Sequence, residues 1–243
     1  MGQPSKRLLV FGDSYGAESL KYTDSLGDWQ KSRGARFYFE EQYNNSPSWI
    51  DQLSDLTGTD VRHVGVAGTG PSDVVWQLTN FLANDCLTED DIVIICWSQY
   101  NRSKDKTNEP IRFPDEYHPS QDRMSNAVKL YFHFIYNDDE RLNVYNASVL
   151  AVDQLLKDFA GKLFHFYCFG TEFHRFPDKT DSSTVLKTYQ PTTGNLCTQF
   201  HLSELCEKHY KTSEDDSRFW SLYPNHMGPL ANADLINYIQ ERL

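Results

Sequence analysis

One serine and one distant histidine are the residues of this sequence best suited to chemistry. The stretch LLVFGDSYGAE, residues 8–18, runs from an apolar segment into Gly-Asp-Ser and then into Tyr-Gly. Ser14 is therefore either a nucleophile at the tip of a strand or an ordinary turn serine. A serine hydroxyl is a weak nucleophile, so it needs a nearby base and donors for the developing oxyanion. The best candidate for the base is His226, in YPNHMGPLANADLINYI, because it lies just before a segment with a helical pattern.

The elements that would position these residues alternate between strand and helix patterns, which predicts a parallel sheet covered by helices on both sides. We expect a three-layer α/β/α sandwich with a flavodoxin-like parallel sheet of about five strands. Strands are predicted at 7–11, 60–66, 91–97 and 163–169. Helices are predicted at 48–57, within 70–85, and at 122–136, 139–160, 198–210 and 230–242. Ser46 or Ser48 would cap the first helix, and Ser72 the second.

Three predicted loops converge on one edge of this sheet. The carboxyl ends of parallel strands share an edge, and open α/β sheets bind their ligands there. Ser14 follows the first strand, Gly68 follows the second, and residues 98–101 follow the third. This convergence favours a functional Ser14 over a turn serine.

The length of 243 residues fits a single α/β domain that spans residues 1–243. Three segments exceed the minimum that such a domain needs. Residues 19–47 are polar and aromatic, residues 102–121 are charged and contain three prolines, and residues 172–196 are irregular. Long loops near strand ends are commonly lids or binding loops, so we expect these segments to border the site.

The formal net charge of −11 disfavours nucleic acid and anionic membranes as partners, because both are polyanions. The five cysteines are odd in number and form no C-x-x-C pair, which indicates a reducing compartment rather than a disulfide framework. No apolar run approaches ~18 residues, the length of a membrane-spanning helix. No signal-peptide pattern precedes the first strand, so we expect a cytoplasmic location.

Several side chains within the apolar strands are expected to be structural. Cys96 and Cys168 lie in apolar runs and should be buried thiols. Trp97 is expected in the core, and His165 in the core or at its edge. No metal-ligand spacing, phosphate-binding loop or dinucleotide-binding fingerprint occurs, so neither a metal nor a cofactor is expected.

Four segments, in order along nearly the whole chain, resemble the motif blocks of the SGNH (GDSL-type) hydrolase superfamily. VFGDSYG resembles the first block, and HVGVAGTGPSDV resembles the second, written N-x-G-x-x-G. DDIVIICWSQYNR resembles the third block, in which a strand is followed by G-x-N-D. PNHMGPLANADLINYI resembles the last block, D-x-x-H followed by a C-terminal helix.

This resemblance implies an ester hydrolase that works through an acyl-serine intermediate without a cofactor. Ser14 would be the nucleophile, and His226 would act first as general base and then as general acid. The backbone N–H groups of Ser14 and Gly68 would bind the oxyanion, and a glycine suits this task because its amide can approach a substrate closely. Asp13 would mainly shape the turn. Acetylated carbohydrates or other small acyl esters are the implied substrates.

The third block departs from the family pattern. Its asparagine position falls at Tyr100, while Asn101 comes one residue later and Gln99 is another amide donor. We favour Asn101 as the side-chain oxyanion donor. The form WSQYNR resembles phage-encoded members of the superfamily, which adds a virion-associated location to the cytoplasmic one.

The last block also departs, because Tyr223 stands where the family has the aspartate that orients the histidine. Either a Ser-His dyad operates with a backbone carbonyl orienting His226, or Asp215 or Asp216 supplies the carboxylate from the preceding loop. The missing aspartate also favours an alternative function, a non-catalytic carbohydrate-binding or phage structural module with a decayed site. A lyase or transferase that uses the same Ser-His pair is a third option.

Overall fold

The computed structural model of the chain describes residues 6–13, 15–16, 48–66, 69–98, 138–168, 189–210, 227 and 229–243. Within these ranges five strands form one sheet. They are β1 (Arg7–Gly12), β2 (Asp60–His63), β3 (Ile92–Trp97), β4 (Lys162–Tyr167) and β5 (Asn195–Leu196). The strand order is β2-β1-β3-β4-β5, and every neighbouring pair is parallel. This is the flavodoxin-like order, so the predicted α/β class and parallel sheet are confirmed.

Five helices lie in the described part of the chain. They are α1 (Trp49–Thr57), α2 (Pro71–Asn84), α3 (Asp138–Leu156), α4 (Leu202–Tyr210) and α5 (Pro229–Gln240). The predicted helix at 122–136 lies outside the described residues. The other predicted helices are present with ends shifted by a few residues, as in α4, which begins at Leu202 rather than at residue 198.

The buried side chains form two clusters on opposite faces of the sheet. Successive residues of a strand point to opposite faces, so Leu8 and Val10 join one cluster while Leu9 and Phe11 join the other. The first cluster includes side chains from α1, α4 and α5, and the second includes side chains from α2 and α3. All six residues of β3 are buried, which explains why its sequence is a continuous apolar run.

The N-caps of two helices were predicted, and the structure confirms one of them. Ser48 caps α1, because its hydroxyl oxygen accepts a hydrogen bond from the Asp51 N–H at 3.2 Å. The prediction that Ser72 caps the second helix is wrong, since Gly70 is the N-cap of α2. Pro71 starts the helix with the fixed φ that suits its first position. The Asp73 carboxylate then accepts from the Gly70 N–H at 2.8 Å, which is the contact that defines a capping box.

The segment 172–196, expected to be irregular, ends in a strand. Asn195 and Leu196 pair with Phe164 and His165 of β4. Just before them, the Asp153 carboxylate accepts hydrogen bonds from the N–H and the hydroxyl of both Thr192 and Thr193, at 2.6–3.2 Å. The residues just before this short strand are therefore held by hydrogen bonds that they donate to Asp153 of α3.

The cysteines and the apolar strand residues lie where the sequence predicts them. All five cysteines have free thiols, and Cys96 and Cys168 are fully buried. Trp97 and His165 are buried as well. Among the described helices, none is both long enough and apolar enough to cross a membrane.

Candidate functional site

The carboxyl ends of the parallel strands meet at one edge of the sheet, which we call the carboxyl edge. In the described chain it comprises Gly12 at the end of β1 and the residues that follow each strand. These are Asp13, Tyr15 and Gly16 after β1, residues 64–66 and 69–70 after β2, Ser98 after β3 and Cys168 after β4. This edge is where open α/β sheets bind ligands.

The predicted site residues themselves lie outside the described residues. They are Ser14, Gly68, Asn101, Asp215, Asp216 and His226. The alternatives Gln99 and Tyr100, and Tyr223 at the family's aspartate position, also lie outside the described residues. Their roles therefore stay predictions. The structure describes the residues on both sides of Ser14, the loop on both sides of residues 67–68, and the buried Met227 that follows His226 in sequence.

The chain turns sharply after β1. Gly12 has a φ of 139°, and a Cβ at this position would overlap the Cys96 carbonyl oxygen on β3, so only glycine fits. The Gly16 N–H donates to the Asp13 carbonyl at 3.0 Å, and the Tyr15 N–H donates to the Asp13 carboxylate at 3.0 Å. Asp13 thus shapes the turn, as predicted from the sequence.

One glutamine fixes the start of this turn through both of its polar atoms. Gln77 of α2 is 1% exposed, and its Oε1 accepts from the Gly12 N–H at 2.8 Å. Its Nε2 donates to the Gly12 carbonyl at 3.0 Å. The same carbonyl accepts from the Thr69 hydroxyl at 3.0 Å and from the Val66 N–H at 2.9 Å. The end of β1 is therefore joined to α2 and to the loop that contains Gly68.

Two buried side chains on the other face of the sheet, away from α2, contact the rest of the turn. The Trp49 indole N–H donates to the Tyr15 carbonyl at 3.1 Å, and the Cys168 thiol donates to the Asp13 carboxylate at 3.3 Å. Burial raises the pKa of the Cys168 thiol well above its usual value, and neighbouring Cys96 and Asp13 raise it further. Cys168 is consequently a neutral thiol and a hydrogen-bond donor rather than a nucleophile.

The end of β3 is held by a buried histidine. The Trp97 indole N–H donates to His165 Nδ1 at 3.1 Å, and the two rings stack with centroids 6.2 Å apart. Burial lowers the pKa of His165 to about 4, so the imidazole is neutral at pH 7 and its lone pair accepts this bond. A fully buried, neutral imidazole in this position supports the strand and does not serve as a catalytic base.

Sequence reasoning missed Gln77 and Thr69 as residues that hold the carboxyl edge, and it placed Ser98 at this edge without giving it a role. Gln77 lies in an amphipathic helix pattern, where a glutamine is normally read as a surface position. Ser98 is buried, and its hydroxyl has no hydrogen-bond partner among the described residues. Its position directly after the most apolar strand is the signal that placed it at this edge. In the described part of the chain, no group of three or more His, Cys, Asp or Glu side chains is placed to hold a metal ion.

The chain matches no protein-family model. No curated protein matches it closely enough in sequence to count as a relative. The likeness to SGNH hydrolases rests on the residues of the four blocks alone.

Proposed function

We propose that the protein is a serine esterase of the SGNH type, acting on small acyl esters such as acetylated carbohydrates. The observation that carries the proposal is the turn after β1. Buried hydrogen bonds from α1 and α2 fix its backbone, and one from Cys168, just after β4, fixes the Asp13 carboxylate. Ser14 lies within this turn in sequence. A nucleophile gains most from such a support, because small displacements of a reacting group cost large factors in rate.

In the proposed reaction the Ser14 hydroxyl attacks the ester carbonyl carbon while His226 accepts its proton. The carbonyl oxygen becomes an oxyanion that accepts hydrogen bonds from the Ser14 and Gly68 N–H groups and from the Asn101 side chain. The C–O bond to the alcohol then breaks, and His226 returns the proton to the departing oxygen. Water, activated by His226, cleaves the acyl-serine and releases the acid.

The orientation of His226 falls to Asp215, to Asp216 or to a backbone carbonyl, because Tyr223 stands at the family's aspartate position. The same substitution supports a second candidate function. A carbohydrate-binding or phage structural module would keep the fold and the rigid turn while losing the histidine's orienting carboxylate.

The proposal is tested by hydrolysis of p-nitrophenyl acetate. We expect activity in the wild type, and a loss of roughly 10³-fold or more in kcat in both Ser14→Ala and His226→Ala. Ser72→Ala is the matched control, because Ser72 is an exposed serine in the first turn of α2 and should leave kcat unchanged. A fluorophosphonate should label the wild type and Ser72→Ala but not Ser14→Ala. A folded wild type that neither hydrolyses the ester nor reacts with the probe would refute the esterase and favour the binding module.

A further inference from the structure

The hydroxyl of Ser98 makes no hydrogen bond within the part of the chain that the structure describes. Ser98 directly follows β3 at the carboxyl edge, and it is 4% exposed. Buried hydroxyls are normally paired, because burial removes the hydrogen bonds that they make with water. Nearby polar side chains follow that rule, since Thr69 and Gln77 both bond to Gly12. An unpaired buried donor at a ligand-binding edge needs a functional explanation.

The strand register places Ser98 near the turn that follows β1. Gly12, the last residue of β1, pairs with Cys96 of β3. Ser98 follows Cys96 by two residues, and Ser14 belongs in sequence to the turn that begins after Gly12. Neighbouring strands are about 4.8 Å apart, which is the distance over which two side chains can contact the same small ligand.

The alternation of side chains along β3 indicates on which face of the sheet Ser98 lies. Residues two apart in a strand share a face, and Cys96 belongs to the buried cluster that also contains side chains of α5. Continuing the alternation of β3 by one residue past Trp97 puts Ser98 on the side of α5.

We propose that the Ser98 hydroxyl donates a hydrogen bond to the acyl oxygen of the substrate, which becomes the oxyanion in the esterase reaction. The inference rests on the proposed function. A hydroxyl carries one donor and two acceptor positions, and only its donor suits an oxyanion. Because no described residue bonds to the Ser98 hydroxyl, it can bind the substrate oxygen without first breaking one of the hydrogen bonds seen in the structure. The ligand class is a compact acyl group, either the ester or the carboxylate that is its product.

The first test compares activity with stability. Ser98→Ala should lower kcat for p-nitrophenyl acetate by about 10²-fold, the effect of removing one oxyanion donor, with little change in KM. Its melting temperature should be unchanged or higher, because the variant removes an unpaired buried group. A merely structural serine would give the reverse pattern. Ser148→Ala is the matched control, since Ser148 is also buried but its hydroxyl bonds the Val144 carbonyl within α3, and it should keep full kcat.

A second measurement separates this inference from the esterase proposal. Sodium acetate should raise the melting temperature of the wild type and of Ser14→Ala, relative to sodium chloride at equal ionic strength, but not that of Ser98→Ala. If the wild type hydrolyses the ester and Ser98→Ala does so equally well, the inference is overturned while the esterase stands. If the wild type is inactive but binds acetate through Ser98, the esterase and the oxyanion role of Ser98 are both overturned, and Ser98 is a carboxylate-binding residue instead. A wild type that neither binds acetate nor hydrolyses the ester overturns both.

Discussion

Gln77 illustrates how a single buried side chain can fix a backbone turn. Its oxygen accepts from the N–H of Gly12 and its nitrogen donates to the carbonyl of the same residue, so both polar groups of one peptide position are satisfied by one amide. An apolar side chain of the same length would leave the Gly12 N–H buried without its partner, which costs about 1–3 kcal/mol. Gln77 is therefore a positioning residue for whatever follows Gly12.

We expect Gln77→Met and Gln77→Glu to lower the kcat of the esterase by different routes. Methionine keeps the length and loses both hydrogen bonds, so the deficit should be similar at every pH. A carboxyl group keeps the acceptor for the Gly12 N–H, but when ionised it repels the Gly12 carbonyl. When protonated it can donate to that carbonyl, as the native amide does. Burial raises the pKa of such a group, so the kcat of Gln77→Glu relative to wild type should recover as the pH falls.

The measurement is kcat and KM for p-nitrophenyl acetate against pH, with urea unfolding to report stability. Thr79→Ala is the control on the same helix, because Thr79 is exposed and its hydroxyl bonds carbonyls of its own helix. Equal kcat in wild type and Gln77→Met would show that catalysis does not depend on this support.

These residues also mark the limit of what local sequence can predict. The apolar strand that ends in Gly-Asp-Ser indicated a turn, and the resemblance to a known family implied that Asp13 shapes it. The partner of Gly12 is 65 residues away, on a helix whose pattern indicates only which face is apolar. A hydrogen bond over that separation has no local signature, so only the three-dimensional structure reveals it.

At the scale of elements, β5 is positioned by side-chain hydrogen bonds as well as by its pairing with β4. The Asp153 carboxylate holds Thr192 and Thr193 just before β5. Burial alone would raise the pKa of Asp153, but the hydrogen bonds from these threonines outweigh it and lower the pKa, so the group stays ionised. β5 was missed from the sequence for this reason, because two residues cannot show a strand pattern and their position depends on α3.

His165, in β4, makes the stability of the protein depend on pH. Its folded-state pKa of about 4 lies below the ordinary value of 6.5, so between these values the unfolded chain binds the proton more readily. The stability that neutral His165 contributes is present above pH 6.5 and is lost as the pH falls towards 4. The free energy of unfolding lost in this way corresponds to about 3 kcal/mol.

His165→Gln tests this account, because glutamine offers an acceptor to the Trp97 N–H and does not titrate in this range. The free energy of unfolding of the variant, measured in urea at several pH values, should be less pH-dependent than that of the wild type between pH 6.5 and 4. Carboxylates remote from His165 titrate in both proteins and cancel in the comparison. Parallel pH profiles for the two proteins would contradict the assignment.

At the scale of the whole molecule, hydrophobic patterning was the most informative property of the sequence. The continuous apolar run of β3 predicted a strand buried on both faces, and the alternation of strands with helices predicted the parallel sheet. The pattern did not determine the strand order, because long-range packing decides which parallel strands become neighbours. The flavodoxin-like sheet was expected as a common form of parallel α/β sheet, and the structure has its strand order.

The net charge of −11 is a property of the whole chain with a consequence for substrate choice. A strongly anionic protein repels anionic ligands over distances comparable to the Debye length. We therefore expect the esterase to have a lower kcat/KM for the p-nitrophenyl ester of succinate, which carries a free carboxylate, than for the same compound with that carboxylate methylated. The two substrates have nearly the same size, so their ratio isolates the effect of charge.

The preference should shrink as salt is added. Raising the ionic strength from about 0.01 M to about 0.15 M shortens the Debye length from about 30 Å to about 8 Å. The kcat/KM of the anionic ester should rise over this range while that of the methylated ester stays nearly constant. If the anionic ester is preferred at low salt, cationic groups at the site dominate over the charge of the whole molecule. The natural substrate would then have to be sought among acidic acyl groups rather than acetylated carbohydrates.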